Sequence, residues 1–179
     1  MVSTSLMAQT TFEYADSKDF PYGKPNPNAP AQIKDYEPMI GTCDCLSYRR
    51  GADGNWLEGV ATQWTFKYIM NGMAIQDFTL KADGGHSGSI RQYSTDSSQW
   101  NVHYYSSSST ASVPLSMWTG NLETDKIVLY MDQPSPQGVA GYSRLTFFNW
   151  SDEGYQWIGE WVDTNGTIVF PFWKIDCKR

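Results

Sequence analysis

Asp77 is the residue in this sequence that is best placed to do chemistry, because it falls among aromatic side chains. Two alternating stretches flank Asn71-Gly72, a pair typical of the tight turn in a β-hairpin. A two-residue turn pairs Phe66 with Asp77, and residues opposite each other on paired strands share one face of the sheet. Asp77 is therefore expected to lie on an aromatic face. The aromatic residues on that face are Trp64, Phe66 and Tyr68.

A carboxylate in such surroundings must be paired, hydrogen-bonded or protonated, because burying an unpaired charge is costly. Asp77 could anchor the amine or hydroxyl of a ligand, or act as a general acid or base with a raised pKa. It could instead form a structural ion pair with Arg91 of the next strand. Arg91 could equally hold a ligand carboxylate with its bidentate guanidinium. We favour structural use of both residues, and the sequence leaves the other roles open.

The composition predicts an all-β domain. Eight Trp, eleven Tyr and eight Phe occur beside only 18% charged residues, and aromatic enrichment is typical of sheets. A chain of 179 residues has the size of one domain. The net charge of −6 argues against a nucleic-acid or membrane partner, since nucleic acids and anionic membranes attract basic surfaces.

Turn residues interrupt the alternating runs at intervals typical of a sandwich or barrel. No helical stretch is long enough to connect parallel strands, so we predict an up-and-down antiparallel barrel of about 8–10 strands. The proline-rich residues 1–35 are expected to form an irregular N-terminal arm, and residues 36–179 the barrel. The predicted strands cover residues 41–49, 56–69, 73–81, 87–93, 99–106, 115–122, 126–132, 140–150, 155–162 and 167–176.

The last two turns predict the register of the closing strands. A three-residue loop at 152–154 pairs Phe147 with Gly159, whereas a four-residue loop would move Arg144 to the aromatic face. We favour the first register because it separates apolar from polar side chains. A type I′ turn in the following loop then pairs Gly159 with Phe172.

The inner face of the barrel is expected to surround a ligand cavity. A barrel of this size is near the point at which side chains stop filling the interior and one small ligand fits. Only Asp77 is a candidate catalytic residue, and only if the protein is an enzyme. The candidate ligand-binding residues are Trp64, Phe66, Tyr68, Asp77, Arg91, Tyr104, Trp118, Tyr130, Phe147, Trp157 and Trp161.

The other face of the closing strands is also apolar, too much so for open solvent. The N-terminal arm or a homodimer partner would explain it, and we favour the homodimer. A purely structural, oligomerising role would depend on the same surface. Its residues are Phe148, Ile158, Val162, Val169, Trp173 and Ile175.

Three cysteines are an odd number for a disulfide framework. A closed barrel places Cys177, at the end of the last strand, beside the first strand, which holds Cys43 and Cys45. A disulfide from Cys177 is one alternative, and buried free thiols are the simpler one.

With two histidines in the chain, no metal site or cofactor is expected. The N-terminus lacks the pattern of a signal peptide, which predicts a cytoplasmic protein, or a secreted one if a leader has been removed.

Several motifs are shared with a known group of proteins. They are Asn71-Gly-Met-Ala-Ile-Gln-Asp77, Gly88-Ser-Ile-Arg91-Gln-Tyr93, Gln99-Trp100-Asn-Val102 and a closing hairpin with Asp-x-x-Gly. Residues 36–179 thereby resemble the uncharacterised bacterial lipocalin-like (calycin-type) β-barrel domains. The resemblance implies an up-and-down barrel with an internal cavity, and it implies no catalytic residues. Where transport lipocalins have Gly-x-Trp, this sequence reads Gly41-Thr42-Cys43.

The leading hypothesis is that the barrel cavity binds a small hydrophobic or aromatic molecule, with Asp77 and Arg91 orienting its polar end. The second hypothesis is a cofactor-independent isomerase or cyclase that uses the same cavity, with Asp77 as acid or base.

Overall fold

The computed structural model describes residues 12–108 and 115–179. Within them, ten strands close into an antiparallel up-and-down barrel in which the first strand pairs with the last. Two 3₁₀ turns, Ala31–Lys34 and Glu37–Met39, precede the barrel. The strands are β1 Gly41–Arg49, β2 Val60–Ile69, β3 Ala74–Lys81, β4 Ser87–Ser94, β5 Gln99–Ser106, β6 Ser116–Glu123, β7 Lys126–Asp132, β8 Gly141–Ser151, β9 Gly154–Asp163 and β10 Val169–Lys178.

The predicted all-β barrel and its antiparallel order are confirmed. Each predicted strand is present, because alternation of apolar and polar residues is a strong signal where one face of a strand is buried. Residues 1–11 of the predicted arm lie outside the described part of the chain. In the described part, no helix is long and apolar enough to cross a membrane.

The hairpin between β2 and β3 has the predicted register, with Phe66 opposite Asp77. The turn itself is longer than predicted, because three consecutive residues, Met70, Asn71 and Gly72, have φ of 53°, 52° and 80°. The positive φ of Gly72 favours glycine, and a close contact with the N-terminal arm requires it as well. A Cβ on Gly72 would lie 2.4 Å from the carbonyl oxygen of Lys24 in the N-terminal arm.

The N-terminal arm is tied to this hairpin by its backbone. The amide of Tyr14 donates to the side-chain oxygen of Asn71 at 2.9 Å. The amide of Tyr68, in β2, donates to the carbonyl oxygen of Tyr22, also at 2.9 Å. The arm therefore packs against the end of the barrel at which the β2–β3 turn lies.

The end of the arm closes that end of the barrel. Ile33, Tyr36 and Met39 are buried in the same apolar cluster as the barrel's inner side chains. The Tyr36 ring meets Trp100 edge-on, with the ring centres 5.0 Å apart. The indole of Trp100 also donates to a carboxylate oxygen of Asp35 at 2.9 Å. This end, called the closed end below, thus has a packed aromatic plug.

The register between β8 and β9 corrects the prediction, since Phe147 lies opposite Trp157 and not opposite Gly159. The loop is tighter than predicted, with Ser151 opposite Gly154, and the ladder is irregular just before it. Asn149 in this irregular segment has a φ of 52°. A register shift of two residues leaves each side chain on the same face of the sheet, because side chains alternate with a period of two. The aromatic residues therefore still lie on the inner face.

A bulge in β10 corrects a second prediction. The ladder with β9 shifts between Pro171 and Trp173, so that Gly159 lies opposite Trp173 and not opposite Phe172. One extra residue turns every following side chain to the other face. Trp173 and Ile175, predicted on the outer face, consequently lie on the inner one, where Ile175 is 1% exposed. The outer surface is less apolar than the sequence indicated.

A disulfide fastens the two strands at which the barrel closes. Cys45 of β1 lies directly opposite Cys177 of β10, and their sulfur atoms are bonded. Cys43 is a buried free thiol. The disulfide alternative is therefore the one that the structure shows.

Gly120 offers a test of how closely β6 and β7 approach. A Cβ at this position would lie 2.0 Å from the carbonyl oxygen of Val128. We expect Gly120→Ala to lower the free energy of unfolding by about 1–3 kcal/mol, because overpacking must displace a backbone. Thr119→Ala on the same strand is the control and should change it by less than about 1 kcal/mol. Urea unfolding measures both, and equal losses would refute the close approach.

Candidate functional site

The barrel contains a cavity of about 300 Å³. It lies between the inner faces of the strands and opens at the end opposite the closed end, called the mouth. Its lining residues are Arg49, Trp64, Asp77, Thr79, Ser87, Ser89, Arg91, Val102, Tyr104, Ser116, Trp118, Leu129, Met131, Gln133, Ser143, Leu145, Phe147, Trp157, Phe172, Trp173 and Ile175.

The floor of the cavity is a buried ion pair between Asp77 and Arg91. An Nη atom of Arg91 lies 2.7 Å from a carboxylate oxygen of Asp77, and both side chains are almost fully buried. The other carboxylate oxygen accepts a hydrogen bond of 2.8 Å from the indole of Trp64. The structural ion pair considered from the sequence is therefore present, and it faces the cavity.

The strand register explains how these two charges meet. Asp77 lies opposite Ser89 across β3 and β4, so Arg91 is its diagonal neighbour on the same face. Long side chains reach diagonal neighbours in an antiparallel pair, and arginine is long enough to do so. Aromatic rings surround the guanidinium carbon at 4.9–5.5 Å from their centres. The rings belong to Tyr36, Phe66 and Phe147.

Burial raises the pKa values of acidic side chains at and near the floor of the cavity. It raises the pKa of Asp77, and the Arg91 guanidinium and the Trp64 indole oppose this rise by stabilising the carboxylate. Burial also raises the pKa of Tyr68 to about 12 and raises that of Tyr36, whose side chain is fully buried. Both phenols therefore remain protonated at neutral pH.

Arg91 has hydrogen-bonding capacity to spare. Its Nε and second Nη atoms are buried and have no hydrogen-bond partner among the described residues. A buried donor without a partner is unfavourable by about 1–3 kcal/mol. Arg91 lines the cavity, but almost none of the surface of these two atoms faces it, so a ligand acceptor would reach them only after the side chains that cover them move.

The walls of the cavity differ in polarity. The β3–β4 wall is polar and includes Thr79 and Ser87, whose hydroxyls are hydrogen-bonded to each other at 2.8 Å. The wall formed by β6–β10 carries large apolar side chains. Its members include Trp118, Leu129, Met131, Leu145, Phe147 and Trp157. A molecule with one polar edge and one apolar face matches this arrangement.

The mouth carries the remaining charge. The guanidinium carbon of Arg49 lies 3.5 Å from the ring centre of Trp173, and the Nζ of Lys81 lies 4.8 Å from the same centre. Burial lowers the pKa of both cations, and Arg49 adds to the lowering for Lys81. In residues 12–108 and 115–179, no three His, Cys, Asp or Glu side chains are arranged as a metal site.

Most of the predicted ligand-binding residues are brought together around the cavity. Those that line it are Trp64, Asp77, Arg91, Tyr104, Trp118, Phe147 and Trp157. Phe66 and Tyr68 are buried but do not line it. Tyr130 is 39% exposed on the outer face, because its neighbours Leu129 and Met131 point inward. The indole of Trp161 donates to the carbonyl of Gln133 and does not line the cavity.

Arg49 and Trp173 are lining residues that the sequence did not indicate. Arg49 is the last residue of β1, and terminal residues have no reliable alternation. Trp173 follows the bulge, whose position has no clear sequence signal. The sequence offered one indication, since the predicted outer face that held Trp173 was too apolar for open solvent.

Fold and cavity together define the class of the protein, a closed antiparallel β-barrel with an internal cavity and a polar floor. No protein-family model matches the sequence. A search of curated proteins likewise found no match.

Proposed function

We propose that this protein binds a small hydrophobic or aromatic molecule inside its barrel. The observation that carries the proposal is the cavity of about 300 Å³, which has one wall of large apolar and aromatic side chains and a floor formed by an ion pair. Ligand sites in proteins are mostly apolar concavities with a few placed polar groups, and this volume is at the small end of their range. The unpartnered donors of Arg91 would orient the ligand's polar end once the side chains that cover them move aside.

An isomerase or cyclase with Asp77 as acid or base has less support. One carboxylate oxygen of Asp77 accepts from the Trp64 indole, and the other lies in an ion-pair contact with the Arg91 guanidinium, although without a hydrogen bond. A general acid or base needs a free position within hydrogen-bonding reach of the substrate. Binding without reaction is therefore the better explanation of the floor.

The lipocalin-like affiliation and the homodimer are parts of the same proposal. The barrel topology supports the affiliation, and the partly exposed Phe148 and Ile158 on the outer face support the dimer. The disulfide between Cys45 and Cys177 favours the secreted alternative over the cytoplasmic one, because such bonds persist in oxidising compartments.

Filling the cavity should abolish binding. We expect Leu145→Trp to weaken the binding of naphthalene-type probes at least about tenfold, since an indole would occupy space that the ligand needs. Thr146→Trp is the matched control, because Thr146 lies on the same strand and lines an outer groove. Titration calorimetry gives both affinities. Equal affinities for the two variants would place the ligand outside the barrel.

A further inference from the structure

The mouth of the cavity is positively charged, with Arg49 and Lys81 both placed against the ring of Trp173. Neither cation forms an ion pair within the described residues. The remaining segments, residues 1–11 and 109–114, contain no Asp or Glu that could supply one. Two neighbouring cations are thus left without a carboxylate partner.

Three carboxylates in the loops at this end accept hydrogen bonds within their own turns. Asp83, close to Lys81 in sequence, accepts a hydrogen bond of 2.9 Å from the amide of Gly85. Asp53 accepts from Asn55, and Asp163 accepts from the amide of Ile168 and the hydroxyl of Thr167. These carboxylates stabilise their own turns, and the charge of Asp83 also acts on Lys81 and opposes the lowering of its pKa, without forming an ion pair.

The ion pair at the floor of the cavity adds no net charge to that of the mouth. Asp77 and Arg91 neutralise each other at 2.7 Å. Of the charged side chains that line the cavity, Arg49 alone is therefore unbalanced, and Lys81 adds a second positive charge beside it. An anion at the mouth would compensate both.

We propose that the ligand is an organic anion, an aromatic or conjugated acid whose acidic group lies at the mouth against Arg49 and Lys81. Its flat body would lie along the apolar wall formed by β6–β10, with its far end toward the floor. This inference rests on the proposed function, because it names the class of ligand for the same cavity. Hydrogen bonds between charged groups are about twice as strong as neutral ones, so the acidic group would contribute to affinity as well as to orientation.

Two probes with the same ring system and nearly the same shape test the inference: naphthoate, which is an anion at neutral pH, and naphthamide, which is neutral. Calorimetry on the full chain at low ionic strength should show that naphthoate binds at least about tenfold more tightly. In the double variant Arg49→Gln/Lys81→Gln, the ratio of the two affinities should fall close to one. The control Lys18→Gln/Lys34→Gln removes the same charge from exposed residues away from the mouth and should keep the ratio.

The outcomes separate the two proposals. If both probes bind equally to the unmodified protein, the anion preference is wrong and the proposed function stands. If the control lowers the ratio as much as the mouth variant does, the preference reflects the net charge of the protein and the inference is also wrong. If neither probe binds, the proposed function is wrong as well.

Discussion

Asp77→Asn is expected to lower the free energy of unfolding by about 3–5 kcal/mol, because it leaves the charge of Arg91 buried without compensation. The amide can still accept from Trp64, so the loss would come from the missing charge and not from an empty volume. Arg91 is 2% exposed, which prevents water from replacing the carboxylate. Urea unfolding followed by tryptophan fluorescence measures the difference.

A second ion pair of this chain provides the control. Arg144 and Glu160 are paired at 2.9 Å on the outer face, where the arginine side chain is 30% exposed. The Glu160 side chain is 14% exposed, so the pair is only partly buried, and we expect Glu160→Gln to lower the free energy of unfolding by about 1 kcal/mol, less than Asp77→Asn does. Similar losses for Asp77→Asn and Glu160→Gln would mean that the floor is open to water.

Replacing both members of the buried pair separates its structural role from its binding role. The double variant Asp77→Leu/Arg91→Met should recover most of the stability lost in Asp77→Asn, because apolar residues of similar volume often replace buried ion pairs without loss. If this variant folds and binds naphthamide as tightly as the unmodified protein, then Arg91 does not orient the ligand.

Removing the disulfide should have the next largest effect. Cys45 and Cys177 are 132 residues apart in sequence, and a cross-link that closes a long loop restricts the unfolded chain strongly. We expect the double variant Cys45→Ala/Cys177→Ala to lower the free energy of unfolding by about 2–5 kcal/mol. The measurement is urea unfolding without reductant.

Reduction of the disulfide provides a second measurement of the expected loss in the free energy of unfolding. Dithiothreitol should destabilise the unmodified protein by a similar amount and should leave the double variant unchanged, since Cys43 is the cysteine that remains and cannot form an internal bond. A variant as stable as the oxidised protein would show that backbone pairing alone holds β1 against β10.

The sequence predicted those parts of the structure that depend on local signals. Alternation placed the strands, and the turn at Asn71 placed Phe66 opposite Asp77, so the aromatic face with its carboxylate could be found without coordinates. The identity of the turn mattered little, because a turn of different length still gave the same pairing. Register depends first on which residues must be buried.

Other parts depend on closure of the barrel and could not be predicted. The inward direction of Arg91 is determined by its pairing with β3 and β5, since its own strand is too mixed in composition to indicate a face. The bulge before Trp173 adds one residue to β10, and Pro171 is the one sequence feature that indicates its position. The convergence of Arg49 and Lys81 involves strands that are not adjacent in the barrel.

Closure between the first and last strands has a consequence for the way the chain folds. β1 pairs with β2 on one side and with β10 on the other, and β10 is synthesised last. Until then β1 presents an open edge, which is a template for pairing with other chains. Contacts so distant in sequence also slow folding. A barrel in which β10 has not yet paired therefore has an open edge, and the pairing of β10 with β1 removes this site of aggregation.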